Sequence, residues 1–199
     1  MGDHYFNKKP KIASDPFEVV SYLRGKQRTF MSDHGVFSKK EVDFGSRLLI
    51  DSFTFPKVEG DLLDVGCGYG PIGLTLAEET DRTVWLVDVN ERAVQLTKEN
   101  IKRKGLLNVQ VLVSDLFAAL SDRRFAAILT NPPIRAGKKV VHTLFEDAYD
   151  HLLPGGSFWT VIQKKQGAAS AKAKLAELFD DVITVQKKKG YYIFVAHKY

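Results

Sequence analysis

LLDVGCGYGPIGLTLA, running from Leu62 to Ala77, decides how this chain folds. Leu62, Leu63 and Val65 around Asp64 form a compact apolar run without polar alternation, the pattern of a strand buried on both faces. Gly66, Gly68 and Gly70 follow as a turn with no Cβ atoms, through which backbone N–H groups can approach a ligand. Ile72, Leu74, Leu76 and Ala77 open a helix, with Pro71 in its first turn, where a missing N–H costs little. Strand, glycine turn and helix in that order place a nucleotide-like ligand at the carboxyl end of a first strand.

Downstream, strands and helices alternate, as in a doubly wound parallel sheet. Residues 84–87 read as a second strand ending at Asp88, 91–104 as an amphipathic helix closed by Gly105, and 109–113 as a third strand ending at Ser114-Asp115. Residues 125–129 form a fourth strand ending at Thr130-Asn131. Residues 142–153 form a helix halted by Pro154-Gly155-Gly156, and 157–162 form a fifth strand. An alanine-rich helix covers 168–179. Residues 182–185 and 191–196 flank a lysine–glycine turn and should pair antiparallel.

Upstream, residues 1 to about 28 make a basic arm dotted with aromatics. Asp15-Pro16 reads as a helix start, with Phe17, Val20 and Leu23 on one face and Gly25 at the end. Residues 29–31 and 35–37 read as two short extended pieces joined through Ser32-Asp33-His34. A helix from Asp43 to about Phe53 turns Phe44, Leu48, Leu49 and Phe53 inward, and residues 56–60 lead into the first core strand.

At 199 residues and 44% hydrophobic, the chain can bury one sizeable core and is expected to be a single domain. Lys+Arg 29 against Asp+Glu 24 leaves +5, a mild excess concentrated in two places. Lys8, Lys9, Lys11, Arg24, Lys26 and Arg28 crowd the arm, and Lys187, Lys188 and Lys189 crowd the late turn. Composition alone reads these as solvated charge, with nucleic-acid contact close behind. The single cysteine, Cys67, excludes an internal disulfide and a cysteine-cluster metal site. Five histidines show no ligand spacing, so no metal is expected. Residues 1–11 lack the apolar core of a signal peptide, and no apolar run has the length of a membrane span, so a cytoplasmic protein is expected.

The ligand follows from the glycine turn. A dinucleotide fingerprint needs glycine where Pro71 stands, and a pyrophosphate would not suit the carboxylate of Asp64. The ammonium of S-adenosylmethionine would, directly or through water. The stretch resembles motif I of the Rossmann-like S-adenosylmethionine-dependent methyltransferases. Asp64, Asp88, Asp115 and Asn131 then stand at successive strand ends facing one crevice. Asp88 lies about 20 residues beyond the glycines, where an acid can accept from both ribose hydroxyls; alone, such an acid more often caps a helix. Asp115 could take the adenine amino group with the Leu116 N–H on a ring nitrogen, and fits an N-cap equally well.

Asn131-Pro132-Pro133-Ile134 carries the chemistry. Two prolines stiffen the backbone after the asparagine. If the Asn131 side-chain oxygen and the Pro132 carbonyl each accept one N–H of a planar NH₂ group, its lone pair is held toward the sulfonium methyl. No strong base is needed, because the methylated nitrogen sheds its proton readily.

Motif I, Asn131 to Ile134 and the lead-in GVFSKKEVDFGSRLLID (Gly35 to Asp51) together resemble the small-domain ribosomal RNA guanine-N2 methyltransferases. The resemblance covers the chain from about His4 onward. It implies an α/β, Rossmann-like class I fold: a mostly parallel seven-stranded sheet with a C-terminal antiparallel hairpin and helices on both faces. Residues 1–58 would be arm and lead-in, and 59–199 the catalytic core. The cofactor set is Asp64, Gly66, Gly68, Gly70, Asp88, Val89, Asp115 and Leu116, with Asn131 shared. Asn131, Pro132 and Pro133 are the implied catalytic residues, and Phe37, Ser38, Asp43, Ile134 and Arg135 the substrate-binding ones. Ile134 departs from the family, which usually has an aromatic there to stack on the flipped base; Arg135 or Phe37 would have to stack instead. The implied partner is ribosomal RNA or a ribosomal subunit, the protein acting as a monomer or, alternatively, a dimer. Adenine N6 or a protein glutamine amide would also fit Asn-Pro-Pro, and an inactive RNA-binding module is a third reading.

Overall fold

A computed structural model describes residues 13–36 and 41–199. Phe17–Leu23 (β1) and Lys26–Ser32 (β2) form an antiparallel hairpin, and Phe44–Ser52 (α1) leads into the core. Then Leu62–Val65 (β3), Pro71–Ala77 (α2), Val84–Asp88 (β4), Glu91–Lys104 (α3) and Val109–Val113 (β5) follow. Phe125–Thr130 (β6), Lys138–Asp150 (α4), Leu152–Gln163 (β7), Ala168–Leu178 (α5), Asp181–Lys188 (β8) and Tyr191–His197 (β9) complete the chain. The large sheet is seven-stranded, in the order β5-β4-β3-β6-β7-β9-β8. β3 to β7 pair parallel, and β9 pairs antiparallel with both β7 and β8.

The strands read as apolar runs because both faces of the sheet are covered. Leu62 and Leu86 pack with α1, α2, α3 and the β1–β2 hairpin, while Leu63 and Val87 pack with α4 and α5. Gly73 lets α2 settle on the sheet: a Cβ there would lie 2.6 Å from Leu86. Among the described residues, no helix is long and apolar enough to cross a membrane.

The N-terminal segment corrects the sequence reading. Residues 17–23 are a strand, not a helix. Val19, Ser21 and Leu23 are buried, while Val20 (52%) and Tyr22 (69%) are exposed, so burial alternates with period two. Arg24 and Gly25, with φ 48 and 76, supply the two left-handed residues of a tight hairpin turn, where Leu23 faces Lys26. The second extended piece is not seen in its described part: Gly35 and Val36 lie in a turn, and Phe37 is outside the described residues. Asp33 closes that turn, accepting from the backbone N–H groups of His34 (2.6 Å) and Asp15 (2.7 Å). Further on, α4 begins at Lys138, before the expected His142, and Leu152 leaves it to pair with Phe125.

Two cations of the basic arm, Arg24 and Arg28, are structural. Arg28, 4% exposed, pairs with Glu78 and, at 2.5 Å, with Glu79 at the end of α2; Arg24 pairs with Glu79 at 2.6 Å. The hairpin is fastened to the core by charge as well as by Val19, Leu23 and Phe30.

Candidate active site

The chain leaves β3 toward β4 and β5 on one side and returns to β6 on the other, so the strand order reverses between β3 and β6. In open α/β sheets, ligands bind outside the carboxyl ends of the strands at such a reversal. Val65 and Thr130 are the last register pair of these strands, and the Thr130 hydroxyl donates to the Val65 carbonyl at 2.8 Å. Gly66 and Asn131 follow, each beginning one wall of the crevice.

The β3 wall is a turn held from behind. Gly66, Gly68 and Gly70 have φ 73, 60 and 93. The N–H groups of Gly66 and Cys67 both donate to the Val87 carbonyl, at 2.9 and 3.0 Å. The Thr97 hydroxyl donates to the Gly68 carbonyl and the Asn100 amide to the Tyr69 carbonyl, both at 2.9 Å. Asn100 also exchanges two hydrogen bonds with the backbone of Met31 (2.7 and 3.0 Å), so β2 braces the turn. Gly66 is exposed, and a Cβ on it would meet nothing within 4 Å; the absent side chain leaves open space at the crevice.

Asp64 and Asp88 are 1% and 3% exposed beneath this turn. The Asp88 carboxylate accepts from the N–H groups of Gly68 and Asn90, both at 2.8 Å. It does not cap the following helix: Asn90 does, accepting from Arg92 and Ala93 at 3.0 and 3.3 Å. Asp64 accepts from the Gly73 N–H at 2.8 Å through Oδ2, while its buried Oδ1 has no partner among the described residues. Burial, reinforced by the charge of Asp88 and opposed by the Gly73 N–H, pushes the Asp64 pKa up to about 7. Burial above all, with the charges of Asp88 and Asp64, also pushes the Cys67 thiol up, so this cysteine packs as a small apolar residue. Val89 is half-buried beyond Asp88.

At the end of β5, Asp115 is exposed and its carboxylate has no partner among the described residues. No helix follows, and the turn is organised by Ser114, whose hydroxyl accepts from the Ala119 N–H (3.1 Å) and donates to the Leu116 carbonyl (2.8 Å). The N-cap alternative for Asp115 therefore fails. Leu116 takes φ 47, a conformation uncommon for leucine.

The β6 wall is built around Asn131. Its Nδ2 donates to Ser46 Oγ at 2.9 Å and lies 3.3 Å from each carboxylate oxygen of Asp43. A carboxylate only accepts, so the amide must turn its NH₂ toward Asp43 and its oxygen away. That oxygen has no partner among the described residues. Asp43 is itself the N-cap of α1, accepting from the Ser46 N–H at 3.1 Å. The backbone turns at Pro133 (φ −75, ψ 70) rather than continuing extended, and the Pro132 carbonyl accepts from the Ile134 N–H at 2.8 Å. Its second lone pair remains. Ile134 lines a cavity of about 140 Å³ with Val141, Ile162 and Ala171 between α4 and α5. Arg135 is exposed, while Phe37 and Ser38 lie outside the described residues.

Sequence reasoning missed four supports: Ser46, Asn90, Thr97 and Asn100. Thr97 and Asn100 did leave a signal, as polar residues on the apolar face of α3. Ser46 left none, since its partner is 85 positions away.

The sequence model of the methyltransferase small domain matches residues 27–195. The chain is 61% identical, over the whole of both chains, to the uncharacterized protein YbxB of Bacillus subtilis (strain 168). It is 35% identical over 159 residues to the ribosomal RNA small subunit methyltransferase C of Aeromonas hydrophila, covering 74% of this chain and 45% of that one. Among solved structures, it superposes with TM-score 0.83 and 29% identity on the T. thermophilus 16S rRNA N2 G1207 methyltransferase (RsmC) in complex with AdoMet and guanosine. That match covers 96% of this chain and 52% of the other, so the chain spans about half the length of these two methyltransferases. With a glycine turn and an Asn-Pro-Pro segment on the two walls of one crevice, and a family match over most of its length, this chain belongs to the methyltransferase small domain family.

Proposed function

We propose that the chain is an S-adenosylmethionine-dependent methyltransferase acting on the exocyclic N2 of a guanine in small-subunit ribosomal RNA. The observation that carries this reading is Asn131, whose NH₂ is tied back by Asp43 and Ser46 while its oxygen is left to accept. The two relatives named for ribosomal RNA support the choice of acceptor.

The residues present fit the cofactor. The partnerless Asp64 Oδ1 suits an ammonium group, and the space above Gly66 admits a ligand against bare backbone. Asp88, held at the end of β4 by the N–H groups of Gly68 and Asn90, would accept from ribose hydroxyls. Val89, Asp115 and Leu116 would border the adenine, with the free Asp115 carboxylate accepting from its amino group. When bound, S-adenosylmethionine supplies a methyl group activated by its sulfonium.

The chain's own work is positioning. Asn131 Oδ1 and the Pro132 carbonyl accept the two N–H bonds of the target amine and orient its lone pair along the line of displacement. Pro133 fixes the bend that presents the Pro132 carbonyl. The proton lost after transfer passes to solvent, because the methylated nitrogen is acidic and needs no strong base.

The test uses radiolabelled S-adenosylmethionine with unmodified ribosomal subunits and naked ribosomal RNA, followed by digestion to nucleosides. Label is expected in N2-methylguanosine. Label in N6-methyladenosine or in ribosomal protein would overturn the acceptor and keep the donor. No label, with no cofactor binding by calorimetry, would leave an inactive RNA-binding module.

A further inference from the structure

We infer that the C-terminal hairpin turn and the turn after β7 form a basic ridge that holds the phosphate backbone of the RNA beside the acceptor wall. The inference rests on the proposed RNA substrate and adds where the chain grips it.

Backbone pairing brings the ridge together. β7 runs parallel to β6, so its end at Gln163 lies at the same edge of the sheet as Asn131. Gln163 pairs with Tyr191, and Tyr191 pairs with Lys188, which carries the β8–β9 turn to that edge. The Lys164 N–H then donates to the Gly190 carbonyl at 2.7 Å and joins the two turns. Lys164, Lys165, Lys187, Lys188 and Lys189 are all exposed there.

The ridge reaches the reacting residue through one helix end. Lys189 Nζ sits 5.1 Å from the ring of Phe44, which also packs against Tyr191 at 5.4 Å. Phe44 follows Asp43, the residue that holds Asn131. Lys189, Phe44 and Asp43 thus connect the turn to the acceptor wall.

Charge alone would not identify a partner; the clustering of five exposed lysines at the edge that carries Asn131 favours one. Arg24 and Arg28 of the β1–β2 hairpin are answered by Glu78 and Glu79. Among the described residues, none of the ridge lysines meets a carboxylate. Clustering like charges without partners opposes folding slightly, and a row of phosphates reverses that cost. Bonds to phosphate set position and register without reading sequence, which suits a surface that borders the acceptor wall. The competing explanation is that lysines guard β8, the outer strand, where Ile183 (47%) and Val185 (42%) are exposed.

The test compares two charge-matched variants of the full chain. One is Lys187→Gln/Lys188→Gln/Lys189→Gln. The other is Lys57→Gln/Lys102→Gln/Arg124→Gln, at exposed positions away from the ridge. Binding to a fluorescent single-stranded RNA oligonucleotide is followed by anisotropy across a salt series, with melting temperatures measured alongside. The ridge variant should bind at least tenfold more weakly. Its plot of log K against log salt should be shallower by about 0.7 for each phosphate no longer neutralised. The second variant should stay within about twofold of the parent, and Lys→Arg replacements at the three ridge positions should keep affinity. Equal loss in both variants, or unchanged RNA affinity in a ridge variant that self-associates on sedimentation, overturns the ridge. Ridge-dependent RNA binding without label in N2-methylguanosine would overturn the acceptor reading alone. Guanine methylation with an unaffected KM for RNA in the ridge variant would overturn the ridge alone.

Discussion

The two walls of the crevice are built differently. On the β3 wall, Asp64 and Asp88 are almost fully buried, and the glycine turn is bonded to the Val87 carbonyl, Thr97 and Asn100. Its parts come from β3, the turn itself and the strand and helix that follow, with Met31 of β2 bracing Asn100 from behind. On the β6 wall, Asn131 is half-buried and is aimed by Asp43 and Ser46, which stand 88 and 85 positions earlier in the chain. The first wall is a preformed seat for a small ligand of constant shape. The second is open, braced by a separate helix, and bordered by exposed cations that suit a large polyanion. One wall should therefore govern binding, and the other should govern turnover.

The sharpest way to break this division is Asn131→Ala. It removes the oxygen proposed to orient the amine and leaves the β3 wall untouched. The expected outcome is a fall in kcat of about a thousandfold, within what lost positioning can cost. Steady-state kinetics should show it with the RNA KM little changed.

Asp43→Asn probes the same wall more gently. Asparagine caps a helix as well as aspartate does, so α1 should keep its start and Tm should move by no more than about 2 °C. Asn131 would then face one carbonyl oxygen in place of two carboxylate oxygens. A drop in kcat of about tenfold is expected; a change in Tm without a change in kcat would make Asp43 merely structural.

The smallest expected effect is a pH dependence on the β3 wall. Asp64, with its pKa near 7, is protonated in the folded apo protein below that pH, while in the unfolded chain it ionises near its ordinary value. The folded state therefore binds the extra proton between about pH 4 and 7, and stability falls as pH rises through that window. A bound ammonium favours the ionised form, so cofactor affinity should rise with pH toward 7, by at most about tenfold per unit. Calorimetry in buffers of different ionisation enthalpy should record proton release at pH 6, absent in Asp64→Asn.

The contrast between the walls also explains what the sequence revealed. The strand, turn and helix at residues 62–77 lie together in the chain, and their order follows local rules; Asn90, two positions beyond Asp88, was missed although its cap is equally local. The N-terminal hairpin was misread because Phe17, Val20 and Leu23 satisfy a helical spacing, while the decisive alternation of Val19, Ser21 and Leu23 shows only once a core exists on one side. The link from Ser46 to Asn131 and the junction of Lys164 with Gly190 depend on tertiary closure, which no local pattern encodes.

Calorimetric titration of S-adenosylmethionine into Asp88→Ala and Asn131→Ala, beside the parent protein, tests the division most directly. Asp88→Ala should bind at least tenfold more weakly, as expected when hydrogen bonds to a buried charge are lost. Asn131→Ala should bind within about threefold of the parent. Equal losses in both variants, or none in Asp88→Ala, would contradict a crevice in which one wall binds the cofactor and the other drives the transfer.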